Sequence, residues 1–496
     1  MPFPAPRRAL TAVSAALALV FGLFAASPAP APAAGRDEYR CLWVDVFHEG
    51  IFTPAQCDTM VATARAAGYN AIFVQVRKAF DAYYESGVEP KNSTIGSFDP
   101  LAHIIRAAHG GGRRMEVHAW LVAYRTRLPD DNTYQNPKHV FTRHPDWMGR
   151  RFDGAVVDSG DSPGRYYVDP GHPAAQEHIA TVVRDILTRY DLDGVNFDYI
   201  RYPEGHNGGP SPWGYNPVAV GRFNALTGRT GSPDRTDPAW CEFRRRQISD
   251  MVRRAYIEVR KVKPRAKLSL ACIAWGSPAK GFTGSDAYGD IFQDWPGLAN
   301  LGFVDLMLPM NYKRESNPAQ ARWHREWAQL MAGVGQRSGR FAINVVDGEG
   351  LNTASGVLAQ LLATRGIPGL AGVSTYCYAE TQAGRQRPVD TAFFQMIRQQ
   401  VFPTDANPPE PTWLTRPTLG LVAGQAMRGR AALDGATVKL DDGRITHVDG
   451  NGFWAFAKVR PGTRTVTLLD TRGGVVGSRT VEVDPGRVGQ INLAAP

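Results

Sequence analysis

Between residues 39 and 400 the chain alternates short β-branched or aromatic runs with amphipathic stretches of helical period. Such an alternation buries both kinds of apolar face only when parallel strands are covered by the helices that connect them. Strands are expected over residues 39–47, 69–77, 115–124, 193–202, 266–275, 303–312, 340–347 and 370–378. Helices are expected over residues 54–67, 100–108, 174–190, 241–262, 319–334, 355–364 and 391–400. No glycine-rich dinucleotide fingerprint follows the first strand, so the pattern predicts an α/β fold of the (β/α)8 TIM-barrel type rather than an open doubly wound sheet.

Two strand-to-helix connections are long, residues 125–173 and 204–240, and they carry Trp147, Tyr166, Tyr167, Trp213 and Tyr215. Long loops at the carboxyl ends of barrel strands are where such folds build a substrate groove, and clustered aromatics there suit a carbohydrate cleft. The barrel is assigned to residues 36–402 and a Pro-rich linker to 403–417. Residues 418–496 lose the helical period and gain turn pairs such as Asp442-Gly443, Asn451-Gly452 and Pro461-Gly462, the mark of a small all-β sandwich. Through Gly435-Ala436-Thr437-Val438, Gly452-Phe453 and Pro461-Gly462 this segment resembles carboxypeptidase regulatory-like modules. Its expected role is that of a spacer or adhesion module in contact with the cell envelope, with Trp454 as a candidate glycan contact.

Residues 1–35 combine a cationic start (Arg7, Arg8), an apolar run from Ala9 to Ala26 and a Pro/Ala-rich stretch with small residues. That is the layout of a secretory signal peptide, and the apolar run is short for a membrane span. The expected location is therefore secreted or extracytoplasmic, periplasmic where the source has an outer membrane, with no stable membrane insertion after signal removal. Net charge is +9, but the excess is scattered and forms no long basic block, which argues against nucleic acid and suits an anionic envelope surface. Five cysteines without a CxxC pair leave room for two disulfides at most. No HExxH spacing, converging His/Cys set or GxSxG elbow occurs, so neither a metal, another cofactor nor a serine nucleophile is expected.

The residues that point to chemistry lie where the strands end. In GVNFDYIRYP, residues 194–203, alternation sets Asn196 and Asp198 on one face and Val195 and Phe197 on the other, with Arg201 and Tyr202 following. Asp45 closes the first strand, Gln75 and Arg77 share a face of the second, and Glu116, His118 and Trp120 share a face of the third. Trp275, Asn311 and Tyr312 stand at later strand ends. Burying so many polar groups without partners is costly, so a functional pocket is the better account. In a pocket of carboxylates, arginine and aromatics the natural chemistry is glycoside hydrolysis, with one carboxyl protonating the leaving oxygen and another acting as nucleophile, base or oxocarbenium stabiliser. Asp198 fits the second role. For the acid the candidates, in order, are Glu315, Asp294, Glu349 and Glu380.

Several motifs in sequence order resemble the glycosyl hydrolase-like family 10 proteins. They are FVQVRKAFDAYYESGVEP (73–90), EVHAWLVAYR (116–125), HPDW (144–147), YYVDPGHPAAQEHI (166–179), GVNFDYIRYP, QDW (293–295) and VDLMLPMNY (304–312). The resemblance implies a (β/α)8 fold and glycosidase activity on bacterial envelope or extracellular polysaccharide, including peptidoglycan glycan strands stripped of their peptides. Where many relatives have Asn-Pro after the HAW element this chain has Val122-Ala123, and where some have a second aspartate after Asp198 it has Tyr199. The resulting expectation is a secreted, endo-acting glycoside hydrolase that needs no cofactor. The other readings are a glycan-binding barrel without activity and a glycan lyase or transglycosylase.

Overall fold

The computed structural model describes residues 37–128, 132–157, 164–205, 208–347, 350–381, 390–470 and 472–495. The expected signal peptide, residues 1–35, and Glu349 lie outside them. No helix of the described residues is long and apolar enough to cross a membrane.

Eight parallel strands close into a barrel: β1 (Tyr39–Val44), β2 (Ala71–Arg77), β3 (Glu116–Val122), β4 (Gly194–Asp198), β5 (Lys267–Ile273), β6 (Leu306–Met310), β7 (Phe341–Asp347) and β8 (Gly372–Tyr376). Each pairs with its sequence neighbours, and β1 closes the ring against β8. One helix on the outside follows each strand: α1 (Pro54–Ala66), α2 (Pro100–His109), α3 (Pro173–Arg189), α4 (Pro238–Val262), α5 (Trp295–Leu301), α6 (Pro318–Ser338), α7 (Ala354–Arg365) and α8 (Thr391–Met396). Local chemistry starts them. Thr53, Asp99, Asp237 and Asn317 each accept a backbone N–H of the first turn, and each is followed by a proline at the first helical position, where no N–H is needed. Helix α5 was not expected from the sequence, and neither was Pro217–Thr227 within the long fourth loop. Both are short, and the loops around them mask their period.

Alternation divides the apolar residues between two cores. Odd-numbered residues of β1 and β2, such as Tyr39, Cys41, Trp43, Ala71 and Phe73, fill the barrel with Leu306, Leu308, Ile343 and Val345. Their neighbours Leu42, Val44, Ile72 and Val74 face the helices. The barrel floor is polar: Lys267 Nζ lies 2.6 Å from Glu116 Oε1, His118 Nε2 lies 3.0 Å from Glu116 Oε2, and Tyr39 Oη donates to the same carboxylate. Gly194 is required beside this group, because a Cβ there would collide with the His118 ring.

The residues expected to form a linker pack against this floor instead of spanning a gap. Trp413 stacks edge-on with Phe341 at 4.8 Å, and its Nε1 donates to Asp305 Oδ1 at 2.7 Å. Beyond it, a five-stranded and a four-stranded sheet form the expected sandwich. One of its strands, Phe453–Val459, contributes Phe453, Ala455 and Ala457 to the barrel's own outer core, beside α4. Arg222 grips Asp434 through two hydrogen bonds, and Arg253 reaches Thr446. Trp454 is fully buried inside the sandwich and offers no face to a glycan. Of the long-loop aromatics, Trp147, Tyr167, Trp213 and Tyr215 are likewise buried as packing. All five cysteines are unpaired.

Buried ion pairs set the acid limit of this fold. Burial alone would raise the carboxyls of Glu89 and Glu116, but Arg77 and His178 for the first, and Lys267 and His118 for the second, overcome it and hold both at about 2. Burial drives His324 down to about 3, so it folds uncharged. In each case the unfolded chain binds the proton more readily, so these groups stabilise the fold at neutral pH and lose that contribution as pH falls. For His324 the loss starts below its ordinary 6.5, and for the two glutamates it runs from 4.5 toward 2. Asp169 and Asp449, raised to about 6 chiefly by burial, act in the opposite sense only down to 3.8. Denaturant midpoints measured from pH 7 to pH 3 are expected to fall steeply below about pH 4.5, and Glu116→Gln is expected to flatten that fall.

Candidate active site at the barrel mouth

Asp198 is the last residue of β4 and points into the mouth, 6% exposed. Immediately after it the chain turns through Tyr199, whose φ is +49°, so the Tyr199 N–H folds back onto Asp198 Oδ1 at 2.6 Å. Trp120 Nε1 donates to Oδ2 at 3.3 Å, and Arg201 Nη1 stands 3.5 Å from Oδ1. Two neutral donors and one cation therefore converge on this carboxylate. In return, Asp198 raises the Arg201 guanidinium although burial pulls it down.

A box of aromatic rings lies beside this carboxylate. Trp43 meets Trp120 edge-on at 5.0 Å and is fixed by its Nε1 bond to Ser374 Oγ at 2.9 Å. Tyr376 lies 6.1 Å from Trp120, Tyr312 lies 5.9 Å from Tyr376, and Trp275 carries Arg201 over its ring at 5.7 Å. Flat apolar faces with polar edges suit the C–H faces of sugar rings.

The first and eighth strands supply a second polar group. Asp45 Oδ2 lies 2.9 Å from His48 Nδ1, and His48 Nε2 lies 3.1 Å from Glu380 Oε1. Cys377 Sγ stands 3.2 Å from Asp45 Oδ2, while Asp45 Oδ1 also accepts the Phe47 and His48 N–H groups. Donor atoms of Asp45, His48 and Cys377 are close enough to hold a metal ion. Burial, reinforced by the Asp45 charge, pushes the Cys377 thiol well up, so it is protonated and its proton serves Asp45. The group is thus satisfied by its own hydrogen bonds. Asp45 is spent within it, whereas Glu380 commits one oxygen to His48.

Of the residues expected at the site, Asp45, Asp198, Trp120, Arg201, Trp275 and Tyr312 converge on this mouth. The others are placed elsewhere for identifiable reasons. A β-bulge between Gln75 and Arg77 reverses the alternation, so Gln75 points inward and caps the Val46 N–H while Arg77 turns out to the helices. There it forms a two-point pair with Glu89 at 2.8 Å and binds the carbonyls of Val122 and Ala123. His118 lies a layer lower, stacked on Phe73 at 4.5 Å, and Asn196 is fully buried beneath Asp198 with Nδ2 bonded to Ser269 Oγ. Tyr202 is buried under the loops against Phe292. Asn311 faces out and ties His324 O to Asn344. Asp294 is the N-cap of α5, accepting the Gly297 N–H at 2.9 Å, with Arg245 and Glu242 as its charged neighbours. Glu315 rests by α7, its N–H on Asn352 and its Cβ against Gly356, 4.0 Å from Arg325. Neither of these two carboxyls joins Asp198. Sequence reasoning missed Trp43, His48, Cys377, Tyr376 and Arg125. The Asp45-x-x-His48 spacing was the one available signal, and it reads as an ordinary turn.

A parallel barrel whose strand ends hold a fixed carboxylate among aromatic rings is an arrangement suited to holding sugar rings. The chain belongs to the glycosyl hydrolase-like 10 family, whose pattern it matches over residues 38–333. It is similar to the glycosyl hydrolase DigH of Escherichia coli strain K12, 26% identical over 291 residues, covering 53% of this chain and 60% of that protein. It is also similar to the glycosyl hydrolase YngK of Bacillus subtilis strain 168, 25% identical over 324 residues, covering 60% of this chain and 58% of that protein. The matched stretch thus spans about three fifths of the length of these curated relatives. Among solved structures, an endo-β-1,4-mannanase from Thermotoga petrophila aligns with a TM-score of 0.46 and 12% identity, over 92% of this chain and 99% of that one.

Proposed function

We propose that this protein is an exported glycoside hydrolase that cuts bacterial envelope or extracellular polysaccharide, peptidoglycan glycan strands included, and that Asp198 and Glu380 are its two working carboxyls. The observation that carries the reading is the pair of walls at the mouth. Asp198 is held by Trp120 and the Tyr199 N–H on one side, and Glu380, backed by His48 and Asp45, stands on the other, with Trp43 and Trp120 between. Family membership and relatives named as glycosyl hydrolases support it.

In the reaction, the Glu380 carboxylic acid gives its proton to the glycosidic oxygen as the bond from that oxygen to the anomeric carbon breaks. Asp198 faces the positive charge that develops at the carbon, as nucleophile or as counter-charge. Water then adds its oxygen to the anomeric carbon, displacing the Asp198 carboxylate where that has bonded there, and its proton returns to Glu380. Mass analysis of products from peptide-free glycan strands tests the class of reaction: hydrolysis leaves new reducing ends, whereas anhydro or unsaturated ends refute it. Glu380→Gln is expected to slow cutting of the natural strand by about 10²-fold or more, and to slow an aryl glycoside with a good leaving group far less, because that bond needs little protonation. Equal losses on both substrates would remove Glu380 from the acid role.

A further inference from the structure

Buried arginines in this protein are paired almost throughout. Arg40 bonds Glu38, Arg77 bonds Glu89, Arg253 bonds Asp250, and Arg244 bonds the carbonyls of Ser211 and Trp213. Arg125 departs from this pattern. It follows β3 directly into the mouth and is 4% exposed, yet among the described residues its guanidinium makes no hydrogen bond and no ion pair. Its contacts are with rings: it lies 4.5 Å over Tyr199 and 5.9 Å from Phe47. Arg201 covers Tyr199 as well, at 4.2 Å, with Asp198 at 3.5 Å as its one carboxylate and with its Nε unpartnered. Among the described residues, these two desolvated guanidiniums thus have a single carboxylate partner between them, Asp198, which Arg201 reaches at the long end of ion-pair range while Arg125 reaches none.

A buried cation without a counter-charge is costly, and a fold keeps one where a ligand supplies the missing anion. Stacking on Tyr199 leaves the guanidinium edges free to donate, and the planar two-oxygen geometry of a carboxylate matches that edge. The position over Tyr199, the residue that follows Asp198, puts the anion on the sugar being processed. We propose that the mouth selects an acidic saccharide and that Arg125, with Arg201 beside it, binds the sugar's carboxylate. This rests on the glycosidase reading above and makes Arg125 a specificity residue of the same site.

The test uses the whole protein and two matched pairs of probes: peptide-free glycan-strand oligosaccharides with free lactyl carboxylates against the same oligosaccharides converted to methyl amides, and oligogalacturonate against its methyl ester. Kd is measured for each by titration calorimetry, and kcat/KM wherever cutting occurs. At least one acidic form is expected to be preferred over its neutral partner by about tenfold or more, since a polar site left unfilled rejects the analogue lacking the group. Arg125→Gln is expected to bring that ratio close to one, and Arg125→Lys, which keeps the charge and serves as the folding control, to retain part of it. Equal affinity for both members of both pairs overturns the proposal, as does a preference that Arg125→Gln leaves intact. Preferred binding without cutting upholds the carboxylate assignment while counting against hydrolysis of that polymer.

Discussion

Asp198→Asn is expected to lower turnover of a cleavable glycan by roughly 10²- to 10⁴-fold with little change in substrate affinity. The amide matches the carboxylate in shape, and its oxygen keeps one of the two donors, the Tyr199 N–H at Oδ1 or Trp120 Nε1 at Oδ2, while the other donor loses its acceptor. What disappears is the negative charge, which matters most when the anomeric carbon becomes positive and least in the ground state. The loss should therefore fall on kcat rather than on KM. Single-turnover kinetics together with the circular dichroism of the variant separate this outcome from misfolding. A folded Asp198→Asn protein with undiminished kcat would remove Asp198 from the chemistry.

The second large effect is on stability. Arg77 and Glu89 are both buried and meet through two hydrogen bonds of 2.8 Å, and Arg77 also lies 3.8 Å over Phe80. Glu89 in turn holds His178 of α3 at 2.8 Å, so one ion pair joins β2, its following loop and the helix of the next strand–helix unit. Arg77→Met leaves a buried carboxylate with the His178 contact alone, and breaking a buried pair from one side typically costs about 3–5 kcal/mol. Denaturant titration should show a loss of that size. The double variant Arg77→Met with Glu89→Gln should recover much of it, because no unpaired charge then remains. A single variant within about 0.5 kcal/mol of the parent would mean that water reaches the pair.

The barrel was legible in the sequence because alternation and period depend on each residue's neighbours alone, and all eight strands appear within the expected ranges. The aspartate on the fourth strand was legible for the same reason. Sites further along each strand depended on details that alternation does not encode. One extra residue in β2 reversed Arg77, and Asn311, just past the end of β6, faced the helices rather than the mouth. Asp294 was indistinguishable from a catalytic acid until the Trp295-Pro296-Gly297 run proved to be a helix start that consumes its oxygen. The opposing wall joins residues from the first and eighth strands, far apart in the chain, and no local pattern unites Asp45 and His48 with Glu380. Arg125 was invisible for a related reason: its lack of partners becomes apparent only once the residues around it are assembled.

The packing of Trp413 on the barrel floor and of Phe453, Ala455 and Ala457 against α4 bears on where this protein is divisible. Composition changes at residue 403, but the apolar cluster of the barrel continues into the strand beyond. Cutting the chain within residues 403–417 would strip the floor of its aromatic cover and bare a strip of helix surface, rather than free two self-sufficient halves. The β-sandwich is in this respect a buttress of the barrel, and each segment is stabilised by the surface they hide together.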